Sequence, residues 1–87
     1  MSKEILTSRL AACVTVIPGV RSMYWWEGKL ARAKEAMLVV KTTRSQYRRL
    51  ERKILELHSY KVPEIIAVPV VAGLPQYIEW VGGEVAN

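Results

Sequence analysis

Cys13-Val14-Thr15-Val16-Ile17-Pro18-Gly19-Val20-Arg21-Ser22-Met23-Tyr24-Trp25-Trp26-Glu27-Gly28-Lys29 decides the fold. Cys13 to Ile17 is rich in β-branched residues, which suit a pleated, half-buried surface. Pro18-Gly19 interrupts that run with a kink or bulge. Val20 to Trp26 resumes it, and Glu27-Gly28 fits a two-residue hairpin turn, with glycine supplying the positive φ. The return strand starts at Lys29 and ends in Met37-Leu38-Val39-Val40. Its first half, Leu30 to Glu35, holds good helix formers, yet one long return strand matches the length of its partner.

Length turns this hairpin into a statement about shape. A compact chain of 87 residues has a radius of gyration near ~12 Å, hence a diameter of roughly 31 Å. A strand from Ala12 to Trp26 spans about 50 Å at ~3.3 Å per residue. The hairpin must bend at Pro18-Gly19, project, or both. Alternation puts Met23 and Trp25 on one face of the projecting part and Tyr24 and Trp26 on the other. Aromatic faces left in water are a liability, so Tyr24, Trp25 and Trp26 are expected at an interface with another subunit.

Outward from the hairpin, helical signals flank it. Ser2 is a candidate cap for a short helix running to about Ala11 or Ala12, with Ile5, Leu6 and Leu10 as its stripe. Thr42, Thr43 or Ser45 can cap a second helix. There Tyr47, Leu50, Ile54 and Leu57 recur at spacings of three, four and three, one apolar face. Arg44, Arg48, Arg49, Arg52 and Lys53 fill the other positions. Val62 to Val71, apolar and bounded by prolines, reads as a strand covered on both faces. Gly73 and Pro75 open a last helix with Leu74, Tyr77, Ile78 and Val81 inward, and Gly82-Gly83 stops it. The order is helix, strand, strand, helix, strand, helix, in one domain spanning residues 1–87.

Composition narrows the function. The chain is 51% hydrophobic and 24% charged, a globular rather than disordered balance. No run reaches the ~18 apolar residues of a membrane span, and no signal-peptide core follows Met1. A single cysteine excludes an intrachain disulfide framework and points to a reduced, cytoplasmic setting. Thirteen Lys and Arg stand against eight acidic residues, all Glu. The cations are scattered, and Arg52 sits four residues before Glu56 as an ion pair would. A nucleic-acid partner is therefore not expected, although Trp25-Trp26 would also suit base stacking.

Catalytic machinery is sparse. The sequence has one His, one Cys and no Asp, and no phosphate-loop, nucleophile-elbow or zinc-protease pattern. An enzyme is not expected. His58, ending the second helix, is a candidate ligand for a soft or borderline metal such as copper, and Cys13 is a weaker one. One chain cannot close a tetrahedral site from these two alone, so ligands would have to converge from several chains.

Several segments resemble the CutA divalent-cation tolerance family. They are Leu10-Ala11-Ala12-Cys13-Val14, Ile17-Pro18-Gly19-Val20 and Ser22 through Lys29. Val40-Lys41-Thr42, Leu57-His58-x-Tyr60-x-Val62-Pro63-Glu64-Ile65-Ile66 and Gly73-x-Pro75-x-Tyr77-x-x-Trp80 match as well. The resemblance covers nearly the whole chain. It implies an α+β, ferredoxin-like antiparallel sheet with a long β-hairpin, assembled as a homotrimer and related in architecture to PII signalling proteins. It also implies copper or another divalent cation as ligand, and His58 matches the family's histidine. A partner-binding or signalling role of the PII type, without metal, is the alternative.

Two departures stand out. The family ordinarily places a strand and a fuller first helix ahead of Leu10, and only nine residues precede it here. That first strand, which carries a cysteine regarded as a copper ligand in some members, has no counterpart. Ser59 stands where the family commonly has proline. Without its central neighbour, Val62–Val71 would leave a row of buried N–H and C=O groups unpaired, at about 1–3 kcal/mol each. The chain as written is thus not expected to form the family's trimer unaided. Either Val62–Val71 pairs directly with the return strand, or a neighbouring chain fills the gap, or the protein is longer.

Overall fold

The computed structural model describes residues 1–58 and 63–86. Its elements are α1 (Ser2–Thr7), β1 (Cys13–Trp26), β2 (Lys29–Lys41), a 3-10 turn (Arg44–Gln46), α2 (Tyr47–Leu57) and α3 (Pro75–Glu84). Among the described residues no helix is long and apolar enough to cross a membrane.

The hairpin dominates the shape. β1 and β2 pair antiparallel from Cys13↔Lys41 to Trp26↔Lys29. The register slips between Ile17 and Val20, where Pro18 has no N–H to give and Gly19 takes φ 69°. Two residues of β1 there oppose one of β2, a bulge that re-aims the outer half. At the tip both Glu27 (φ 49°) and Gly28 (φ 77°) are left-handed, as a type I′ turn requires. The longest dimension is 45 Å and the radius of gyration 14.7 Å, above the ~12 Å of a compact chain. The hairpin therefore projects beyond the compact body, one of the two outcomes its length allows, and the bulge at Pro18-Gly19 supplies the bend.

The core is small. Ile5, Leu10, Ala11 and Leu50 are buried together, with Val14, Val40 and Ile54 packed against them. α1 is shorter than its apolar stripe suggested, and its N-cap is Met1, not Ser2. It ends at Ser8 because Arg9 turns left-handed (φ 58°). The Leu10 N–H then bonds the Ile5 carbonyl at 3.2 Å and the Arg9 N–H that of Leu6 at 3.0 Å. This double closure satisfies orphan carbonyls and lays Leu10 on Ile5. In α2, Leu50 is buried and Tyr47 and Ile54 half-buried, whereas Leu57 is exposed.

Two expectations about the C-terminal third fail. The strand read at Val62–Val71 begins outside the described residues, and residues 63–71 belong to no sheet. Val68 and Val71 are 81% and 92% exposed. An apolar run becomes a strand only against a ladder partner, and Pro63 and Pro69 also remove two donors. Residues 63–71 do not pair directly with β2. In α3 only Val81 is buried, while Leu74, Tyr77 and Ile78 are exposed, because a two-stranded sheet offers that face nothing to cover it. α3 also runs through Gly82-Gly83 to Glu84. Its C-terminal end is anchored. Arg9 Nη1 donates to Glu84 Oε2 at 2.7 Å, the Ala86 N–H to the Arg9 carbonyl at 2.8 Å, and buried Gln46 Nε2 to the Ala86 carbonyl.

Candidate functional site

The two candidate metal ligands lie on different elements. His58 is half-buried and closes α2, its N–H bonding the Ile54 carbonyl at 2.8 Å. Its backbone leaves the helix in an extended conformation (φ −88°, ψ 138°).

Cys13 opens β1. Its sulfur lies 3.8 Å from Thr15 Oγ1 and 3.8 Å from the Lys41 ammonium. The same ammonium sits 6.0 Å from the Tyr77 ring centre. A fixed cation beside the sulfur opposes a second cation there, which weighs against Cys13 as a ligand.

Among the described residues no group of three His, Cys, Asp or Glu side chains could hold a metal ion. The donors among the described residues do not fit a closed metal centre, which needs about four ligands, or three for an open site.

The hairpin is the other candidate, and its register sorts the side chains. Residues directly opposite share a face. One face carries Tyr24 and Trp26 with Ala31, Ala33, Lys29 and Ser22; the other carries Trp25, Met23 and Leu30 with Arg21, Arg32 and Lys34. Ala31, Ala33 and Val20 on the first face are half-buried, whereas the second is exposed throughout. Tyr24, Trp25 and Trp26 are thus not one cluster: Trp25, 74% exposed, points away from the other two. This cationic grouping was not found from sequence, although alternation along β1 and β2 held the signal once the rungs are paired.

α2 carries the remaining charge. Arg48 reaches Glu51 at 3.5 Å and Lys53 reaches Glu56 at 3.8 Å. Arg52, expected to pair with Glu56, does not. The concave surface on α3, lined by Gln76, Glu79, Trp80, Gly83 and Glu84, is shallow, and Arg9 engages Glu84. No pairing of nucleophile and base emerges at any of these places.

The family model described as CutA1 divalent ion tolerance protein matches residues 1–84. The divalent-cation tolerance protein CutA of Thermus thermophilus is 40% identical over 80 residues, which cover 92% of this chain and 78% of that protein. The chloroplastic CutA 1 protein of rice is 41% identical over 80 residues, covering 92% of this chain and 45% of the relative. A solved Thermus thermophilus divalent cation tolerance structure superposes with a TM-score of 0.95 at 38% identity, covering 98% of this chain and 82% of that one. The PII-like protein CutA of Nostoc, solved in apo form, gives 0.90 at 33% identity, covering 98% and 83%.

Proposed function

The chain belongs to the CutA1 divalent ion tolerance protein family, and from that premise we propose that it is a non-enzymatic homotrimer that binds divalent cations, copper among them. The observation that carries this reading is the family match over residues 1–84, joined to the absence of a three-donor group among the described residues. A cation site built from single donors of several copies reconciles the two. His58 is the ligand each copy contributes, and imidazole suits copper. Assembly uses the hairpin face of Tyr24 and Trp26, whose alanines allow close approach. The opposite face would set like charges together. The cytoplasm is the compartment we assign, from the single cysteine.

Titration calorimetry of Cu²⁺ into the assembled protein tests this reading, with His58→Ala beside it. Binding that weakens at least ten-fold in the variant supports the site. Affinity unchanged by the substitution removes His58, and absence of binding removes the metal.

A second reading, a signalling or partner-binding module, is favoured by one observation: the likeness to the PII-like Nostoc protein. A protein partner retained in the presence of a chelator would favour it over cation binding.

A further inference from the structure

We propose that the Trp25 face of the hairpin binds single-stranded nucleic acid. This goes beyond cation tolerance and does not depend on it. It also departs from the expectation drawn from scattered charge along the sequence, because the register gathers what the sequence disperses. Three successive rungs, Arg21↔Lys34, Met23↔Arg32 and Trp25↔Leu30, stack three cations and one indole on a single face. Rungs of one face repeat every two residues, about 7 Å. All six side chains are exposed. Among the described residues none of the three cations has an ion-pair partner, whereas Arg9, Arg48 and Lys53 do. Neither hairpin carboxylate lies on this face: Glu27 sits beyond it in the turn, and Glu35, opposite Val20, belongs to the other face.

Charge complementarity selects a polyanion. An indole 74% exposed beside the cations adds a stacking surface, which rewards unstacked bases over a duplex. A bilayer fits less well, since entry tip first would carry Glu27 into the apolar layer ahead of Trp25. A second copy of the same face is excluded by like charge. Arg21, Arg32 and Lys34 would hold phosphates, and Trp25 would stack a base.

Fluorescence anisotropy with a labelled oligothymidylate, using the full chain, tests this. Three phosphate contacts predict a log–log salt slope of about −2, a loss of roughly ten- to twenty-fold from ~50 to ~200 mM salt. Trp25→Ala should weaken binding at least roughly five-fold. Arg32→Glu should weaken it further, while Arg49→Glu on α2 stays within two-fold of wild type. Circular dichroism melts of all variants should coincide, since these side chains are exposed. The proposal is overturned by absence of binding at low salt or by equal losses from Arg49→Glu and Arg32→Glu. It is also overturned if poly-glutamate competes as well as the oligonucleotide, or if phosphatidylserine vesicles bind in its place.

Discussion

Thr42 and Leu10, 32 residues apart, are joined by a hydrogen bond in which Thr42 Oγ1 donates to the Leu10 carbonyl at 2.6 Å. Beside it the Ala12 N–H donates to the Lys41 carbonyl at 2.9 Å. Together they fasten the loop after α1 to the end of β2, just where the core residue Leu10 leaves the helix. Thr42→Val keeps the shape and deletes the donor, stranding a part-buried carbonyl. We expect a loss of about 1–3 kcal/mol, read as a lower urea midpoint with unchanged slope. Thr42→Ser should retain most of the stability.

Leu50 is the one α2 residue fully inside the core, against Ile5, Leu10 and Ala11. With so few buried side chains, little can move in to refill its space. Leu50→Ala should cost about 2–5 kcal/mol, a large part of the ~5–15 kcal/mol typical of a small domain. Leu57→Ala, at an exposed position, should cost far less. Equal losses in paired thermal melts would contradict the burial pattern.

How far the sequence could be read follows from which contacts are local. The bulge at Pro18-Gly19, the turn at Glu27-Gly28 and the Tyr47-Leu50-Ile54 stripe are properties of neighbouring residues, and they appear where expected. The strand at residues 63–71 needs a partner distant in sequence, so its apolar run could signal a preference for burial but not the burial itself. Leu74, Tyr77 and Ile78 read as inward-facing for the same reason, yet they lack the sheet that would cover them. His58 was legible as a helix end. That the described residues gather no group of three donors depends on tertiary placement, which spacing does not encode. Arg9 illustrates the converse: nothing in an arginine announces a left-handed residue.

Arg9 combines that left-handed backbone with an ion pair to Glu84 at 2.7 Å. The pair is half-exposed, so it contributes at most about 1 kcal/mol. The backbone strain of a non-glycine residue here is of order 1–2 kcal/mol. Arg9→Ala loses the pair and keeps the strain; Arg9→Gly loses the pair and relieves the strain. Glycine should therefore be the more stable variant by about 1 kcal/mol, and chemical denaturation of the two side by side checks it.

The Tyr47 hydroxyl donates to Glu51 Oε2 at 2.8 Å. That bond, with desolvation and the Glu51 charge adding to it, raises the phenol above its ordinary value of 10.0. A group whose value is raised by folding stabilises the fold while protonated. Its contribution is complete below pH 10.0 and is lost as pH rises through the higher folded value. Wild type should therefore lose more stability than Tyr47→Phe on going above pH 10.0. Ultraviolet titration of the two proteins should show one late-ionising tyrosine missing from the variant. Coincident stability curves above that pH would remove the bond's role.

The segment 63–71 carries the last prediction. Its N–H groups make no ladder, and Ile66, Val68, Val70 and Val71 lie in water. Exchange protection follows hydrogen bonding and burial. In the dilute chain the amides of Glu64 to Val68, Val70 and Val71 should exchange at nearly random-coil rates. Those of Val14 to Val16 and Leu38 to Val40, in the paired base of the hairpin, should exchange far more slowly. An extended apolar segment with open N–H and C=O groups is also a template for strand addition. Raising the protein concentration until copies associate should then slow exchange in residues 64–71 before it slows exchange in α3. Slow exchange of Val70 and Val71 already in the dilute chain would mean that the segment is paired within one molecule, against the arrangement described.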